Sequence, residues 1–498
     1  MGRQRMRDGR HGVAGNRRVD LIATIAATLL AAPLLAPAAE PAKPLALHPD
    51  NPHYFLWRGR PTILITSGEH YGAVLNLDFD YVRYFDELHS RGLNLTRTFS
   101  GVYREIPSSF NITDNTLAPH ANRYLCPWAR SSEPGYYDGG GKFDLTKWDA
   151  AYFQRLEDLM SQAQARGIVV ELNLFCPMYN DDLWKACPMN AANNVNGVGR
   201  VPREEVYTLK HPDLLGVQLA LVREIVGRLR EFDNLYYEVS NEPYFGGVTM
   251  EWQHKIVDAI VEAEKDFSAR HLISMNIANG RQKVDEPHPA VSIFNFHYCV
   301  PPDTVAMNCG LNKVIGENET GFRGKEDVLY RTEGWDFLIA GGGLYNNLDY
   351  SFTANHPGGT FLEYASPGGG SPALREQLSI LKKFLGSFDF IGTEPDSTVI
   401  RKVEPELSAS ALVRRGEAYA VYLHVPLPQK PKDLGNNLRT AVEASVTLDL
   451  PAGEYQVEWV NTKTGAVDKI EALEHRGGDR ALVSPPFDSD VALRITSR

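Results

Sequence analysis

The chain has 498 residues, 43% of them hydrophobic and 23% charged, with a formal net charge of −11. That is the composition of a core-forming globular protein, and the length is too great for one ordinary domain. The negative balance argues against nucleic acid or an anionic membrane surface as partner, since both require clustered positive charge; a neutral substrate fits better.

Taken in chain order, residues 1–39 read as a signal peptide. Arg17 and Arg18 precede an apolar run from Leu21 to Leu35, and small residues follow through Ala38 and Ala39. The run is shorter than the ~20 residues a membrane span needs. A secreted or periplasmic protein, free of the membrane after cleavage, is expected. An uncleaved anchor is the alternative. The Arg-Arg pair hints at twin-arginine export, although Asp20 stands where that signal usually has a bulky apolar residue.

Residues 40–395 alternate between β-rich runs and helical patterns. The expected strands are Thr62–Thr66, Leu93–Phe99, Ile168–Phe175, Leu235–Ser240, Leu272–Asn276, Ser292–His297, Lys313–Glu317 and, less sharply bounded, Leu338–Tyr350. Between them, Tyr152, Leu156, Leu159, Met160 and Ala163 share one helical face, as do Trp252, Ile256, Ile260 and Ala263. Gly92 and Gly167 each stand where a helix would end and a strand begin. Eight strands with helical crossovers predict an α/β (β/α)8 TIM barrel; an open doubly wound sheet is less favoured because no Gly-rich phosphate turn is present. Residues 41–60, with Trp57, would add an N-terminal strand or hairpin closing the barrel floor. After a helix around Leu374–Phe388, residues 396–498 lose helical periodicity. Strands such as Tyr419–Val425, Ala444–Leu450 and Tyr455–Val460, with turns at Pro451-Ala452-Gly453 and Lys463-Thr464-Gly465, predict a small all-β sandwich.

The five cysteines cannot all pair within one chain; Cys176–Cys187 and Cys299–Cys309 could each close a short loop. Their spacing is not that of a zinc site, and neither metal nor cofactor is implied.

The chemistry concentrates at strand ends, where barrels place their active sites. Leu235-Tyr236-Tyr237-Glu238-Val239-Ser240 runs into Asn241-Glu242-Pro243. Three strands later, Val314-Ile315-Gly316 leads into Glu317-Asn318-Glu319-Thr320-Gly321. Asn-Glu after the fourth strand and Glu-x-Gly after the seventh resemble glycoside hydrolase clan A, the cellulase-like retaining glycosidases. In such an enzyme a Glu that protonates the glycosidic oxygen and later deprotonates water needs a raised, adjustable pKa, and a second carboxylate must face it. The resemblance spans roughly residues 60–390, with specific motifs in only a few short windows. It implies that Glu242 is the acid/base, that Asn241 bonds a sugar 2-hydroxyl and that Glu319 is the nucleophile, with Glu317 the alternative. Strand alternation would put Glu317 and Glu319 on the same face, Glu317 one layer deeper and paired with a buried cation such as Arg97. Phe296-His297-Tyr298 matches the clan's His and Tyr beside the nucleophile. Arg97, at the end of the second run, matches its supporting Arg. Glu69-His70-Tyr71 and Asn173 could contact sugar hydroxyls. Trp128, Trp184, Trp252 and Trp335 are candidate sugar platforms, though core packing is the more natural role for each. The clan's usual Trp at the eighth strand end has no counterpart here.

The expected function is therefore secreted, retaining hydrolysis of a β-linked oligosaccharide or polysaccharide. The alternative is a catalytically silent carbohydrate-binding barrel. Metal-assisted hydrolysis would require His and Asp at several strand ends, and only His297 is so placed.

Overall fold

The structure is a computed structural model that describes residues 43–498; the expected leader lies outside the described residues. Eight parallel strands form the central sheet: Leu64–Gly68, Leu95–Phe99, Val169–Phe175, Leu235–Ser240, Leu272–Asn279, Ile293–His297, Val314–Glu319 and Leu344–Leu348. The ladder runs continuously from the second strand round to the eighth and on to the first. The first and second strands close at Asn94, through one backbone bond, Asn94 N to Ile65 O (3.2 Å), and through its side chain. Asn94 accepts from Ile65 N (3.0 Å) with its amide oxygen and donates to Ile63 O (3.0 Å) with its nitrogen.

Two sequence-level expectations change here. The eighth strand was expected from Leu338, but Asp327–Ile339 is a buried helix, and Gly341–Gly343 turns the chain into a strand that begins at Leu344. An apolar run flanked by glycines does not tell a buried helix from a buried strand. The helices otherwise follow their stripes. Asp149 caps Ala150–Ala165 by accepting from Ala151 N and Tyr152 N, and that helix buries Tyr152, Leu156, Leu159, Met160 and Ala163.

At the barrel floor, short antiparallel strands Ala46–Leu47, Phe55–Trp57 and Arg60–Thr62 form a separate sheet. Leu45, Phe55 and Trp57 pack there against Leu64, Leu95, Val169, Tyr236, Ile293, Val314 and Leu344, at the starts of seven barrel strands. The floor is sealed by apolar side chains, so polar chemistry is confined to the lumen and mouth.

Beyond the helix Pro372–Leu385 the chain forms an antiparallel seven-stranded sheet. The turn expected at Pro451-Ala452-Gly453 is absent. Ser445–Val460 is one strand of 16 residues, held throughout by Val467–Val483, whose Gly477 and Gly478 (φ +96° each) let it follow the bend. The first half of Ser445–Val460 pairs with Ile400–Glu404 and the second with Asp490–Ser497. The sheet docks on the outside of the barrel. Trp335 stacks on Tyr422 at 5.2 Å, and Arg331 binds Asp490 (2.5 Å), which also accepts from Tyr422 Oη (3.0 Å). Trp335, like Trp128 and Trp252, is thus wholly buried core, and Trp184 is nearly so.

Candidate active site

Glu242 and Glu319 meet at the barrel mouth. One oxygen of each, together with His297 Nδ1, lies within 4.8 Å of the others. Glu242, two residues past the fourth strand, has φ 32°, a backbone state unusual for a side-chain-bearing residue and of the kind that clusters at functional sites. Its Oε2 accepts from Tyr179 Oη (2.7 Å), and its Oε1 lies 3.3 Å from Tyr244 Oη and 3.2 Å from His297 Nδ1. Burial presses this carboxyl upward. Hydrogen bonding and charge from His297, with the Tyr179 hydroxyl and the Asn279 amide, outweigh it and hold Glu242 below the usual range.

Glu319 is gripped from three sides. Tyr298 donates to Oε1 (2.6 Å), while Tyr71 (3.0 Å) and Arg97 Nη1 (3.2 Å) donate to Oε2. Gly321 follows at φ +137°, a conformation open to glycine that turns the chain away from the mouth. Arg97 is fully buried and also binds Glu238 through Nε (2.9 Å) and Asn241 Oδ1 through Nη2 (2.7 Å). Asn241 points its amide nitrogen at Tyr179 Oη (2.8 Å). Beneath them the lumen is a polar layer. Asn318 donates to Glu171 (3.0 Å) and Glu238 (2.7 Å), and Asn295 donates to Glu171 (2.8 Å). Burial, then the Glu238 charge, pushes Glu171 up to about 8.

The expected partnership of Glu317 with Arg97 is overturned. The sixth and seventh strands pair Phe296 with Glu317 and His297 with Glu319, so Asn318 is an extra, bulged residue. The bulge breaks the alternation. Asn318 and Glu319 both face inward, while Glu317 points outward between barrel and helix. There it accepts from Cys299 N (2.5 Å) and sits beside Glu333, which Arg323 binds (3.0 Å). Burial and then the neighbouring Glu333 raise Glu317 well above the carboxylate range.

His70 lines the same pocket and lies 3.4 Å from Glu105 Oε2; burial lowers its pKa, but Glu105, Glu319 and Glu69 raise it further. Glu69 does not reach the pocket lining. It accepts from Gly72 N (3.1 Å), Ala73 N (2.9 Å) and Thr116 Oγ1 (2.6 Å), which fixes the loop after the first strand. Asn173 is buried in the wall, and among the described residues its side-chain amide has no hydrogen-bonding partner. All five cysteines are free, four of them buried, so neither expected disulfide forms. Cys176 instead lies 3.7 Å from Asn241 Nδ2.

Sequence reasoning missed Tyr179, Tyr103, Glu105, Phe110 and Tyr244, which complete the site from loops. The pocket at the mouth is narrow, with a cavity volume of about 50 Å³, and is lined by His70, Tyr71, Tyr103, Tyr179 and Phe322 beside the two glutamates. Phe110 (φ 53°) and Phe245 flank Tyr179 at 5.4 and 5.9 Å, giving the mouth an aromatic rim without tryptophan. The trio Glu242, His297 and Glu319 also has the spacing of cation ligands. The Arg97 guanidinium 3.2 Å from Glu319 opposes a cation there by direct repulsion.

No protein-family model and no curated protein matches the sequence. The fold does match solved structures. A glycoside hydrolase family 5 structure from Bacteroides vulgatus superposes with a TM-score of 0.58 at 14% identity, covering 91% of this chain and 93% of that one. A second structure, a glycoside hydrolase, gives 0.58 at 13% identity over 91% and 97%. This chain has their fold.

Proposed function

We propose that the protein is a retaining glycoside hydrolase acting on β-linked glycans, with Glu319 as nucleophile and Glu242 as acid/base. The observation that carries this reading is the pair of buried glutamates at the ends of the fourth and seventh strands, with oxygens within 4.8 Å. Retaining enzymes hold their carboxyls about 5–5.5 Å apart, whereas inverting ones leave about 6.5–9.5 Å for a water. Arg97, Tyr71 and Tyr298 all donate to Glu319, which favours its ionised, nucleophilic form.

Glu319 attacks the anomeric carbon as the glycosidic C–O bond breaks, and Glu242 passes its proton to the departing oxygen. Glu242 Oε1, 3.2 Å from His297 Nδ1, holds that proton when the ring nitrogen accepts from it instead of donating to it. Glu242 then takes a proton from water, the hydroxide oxygen bonds the anomeric carbon, and Glu319 leaves as carboxylate. Asn241 and His70 would bind sugar hydroxyls. Phe110, Tyr179 and Phe322 line the mouth through which a sugar would reach the two glutamates. Export fits the basic, apolar and small-residue order of residues 1–39.

The decisive experiment is covalent labelling with an activated 2-deoxy-2-fluoro glycoside followed by peptide mapping, together with proton NMR of the first-formed sugar. Labelling of Glu319 and net retention are expected. A label on Glu317, or an inverted product, would overturn the assignment.

A further inference from the structure

Glu317 stands two residues before Glu319 but on the other face of the seventh strand, and the double displacement makes no use of it. It is buried between strand and helix, as is Glu333 on Asp327–Ile339. Two carboxylates taken out of water side by side repel each other, so ionising both is costly. The donors present suit one negative charge, not two. Cys299 N donates to Glu317 Oε1 (2.5 Å), and Arg323 Nη1 donates to Glu333 Oε2 (3.0 Å). The remaining oxygens, Glu317 Oε2 and Glu333 Oε1, are buried and find no protein donor among the described residues, while the two side chains hydrogen-bond to each other. One proton held between the carboxyls answers both oxygens. Arg323 lies on Glu333, so the charge belongs there and the proton on Glu317. The other ionisable groups around the pair, Cys299, Tyr330, Tyr345 and Asp336, bring no second cation.

Glu317 reaches across to the loop that carries Tyr298. The seventh strand holds this loop at two consecutive amides: Glu319 O accepts from Tyr298 N (3.2 Å), and the Glu317 carboxyl accepts from Cys299 N. Between these two ties Tyr298 has φ 57°, a left-handed state that a side-chain-bearing residue keeps only where its surroundings over-determine it. Its hydroxyl thereby meets Glu319 Oε1 at 2.6 Å. Behind the pair, Arg323 binds the segment that leaves the C-terminal sheet, donating to Gln429 O (2.8 Å) and Pro428 O (3.2 Å). Gln429 in turn donates to Tyr298 O (3.4 Å).

We propose that Glu317 is a positioning residue whose neutral carboxyl, sharing a proton with Glu333, holds the Cys299 amide and through it aims the Tyr298 hydroxyl at Glu319. This role rests on the glycosidase reading, since Tyr298 matters through the nucleophile.

Glu317→Ala should lower kcat on a nitrophenyl β-glycoside about ten-fold or more, the scale of one hydrogen bond to a charged group, with KM little changed. Glu317→Gln presents a carbonyl to Cys299 N and an N–H to Glu333, and should recover most of that loss. Glu333→Gln should not, because it strands Arg323. In a Tyr298→Phe background Glu317→Ala should cost nothing further, since both changes then act on one contact. Two readouts need no turnover. Infrared spectra near neutral pH should show a protonated-carboxyl band that Glu317→Gln removes. Hydrogen exchange at the Cys299 amide should quicken in Glu317→Ala and not in Glu317→Gln. Additive losses in the double variant, failure of Glu317→Gln to rescue, or a carboxyl band untouched by that substitution overturns the proposal. If Glu317→Ala does not fold, the asymmetry between Glu317→Gln and Glu333→Gln decides, and equal losses overturn it. A wild type that hydrolyses no glycoside, with the band and exchange results as expected, would leave the carboxyl pair holding the Tyr298 loop and remove the glycosidase reading instead.

Discussion

The barrel lumen and the interior of the C-terminal sheet fill space in opposite ways. The lumen buries Arg97, Glu171, Glu238, Asn295 and Asn318 in one hydrogen-bonded layer. The sheet interior is built from Val421, Leu423, Val446, Leu448, Tyr455, Val457, Trp459, Leu493 and Ile495. Apolar burial stabilises without direction. A charged layer contributes little net stability, because desolvation offsets attraction, but it fixes orientation: Arg97 binds Glu238, Glu319 and Asn241 at once. The sheet therefore reads as structural support and the lumen as the frame that aims the mouth.

Substitutions can break this contrast. The largest effect is expected for Glu319→Ala, with hydrolysis falling below detection while the fold persists; azide should restore turnover and give a glycosyl azide of inverted configuration. Retained activity would remove Glu319 from the chemistry. Glu242→Gln should cost about 10²–10⁴-fold on unactivated glycans and far less in the first step on substrates with very good leaving groups, measured as separate kcat/KM values.

A matched pair sharpens the comparison further. Trp459→Ala should lose about 3–5 kcal/mol of stability through its cavity, with kcat/KM of the folded fraction unchanged. Arg97→Met should lose a similar amount, about 3–5 kcal/mol, because it strands buried carboxylates, and should also lower kcat/KM. If the two variants behave alike in kinetics, the lumen has no aiming role.

The smallest effect concerns pH. Glu171 is raised to about 8, so the folded state keeps a proton that the unfolded chain releases near the ordinary Glu value of about 4.3. Its contribution is present below that value and is lost as pH rises through about 8, since over that window the native state binds more protons than the unfolded one. Glu171→Gln, which mimics the protonated form, should flatten the decline in melting temperature across that window. An unchanged slope would place the proton elsewhere in the layer.

Local sequence carried the periodic and terminal features. Alternation of strand-like and helical runs marked the barrel, and Asn241-Glu242-Pro243 and Glu319-Thr320-Gly321 stood out because a strand that ends in a carboxylate places it at the mouth. Arg97, His297 and Tyr298 were visible for the same reason, as residues at strand ends. Tertiary structure decided what pairing and packing between distant segments control. The bulge at Asn318 arises from the register between the sixth and seventh strands, and it sends Glu317 outward to Glu333 while Glu319 turns to Arg97. Tyr179, Tyr71 and Glu105 join the site from loops whose course is set by contacts far along the chain, such as the 248-residue separation between Tyr71 and Glu319. The strand through Pro451-Ala452-Gly453 follows the same logic, because a partner ladder on Val467–Val483 overrode a local turn preference. Sequence by itself determined which elements form and which residues stand at their ends. Only the packed structure decided which way those residues face, because facing depends on register, and register is a property of two strands.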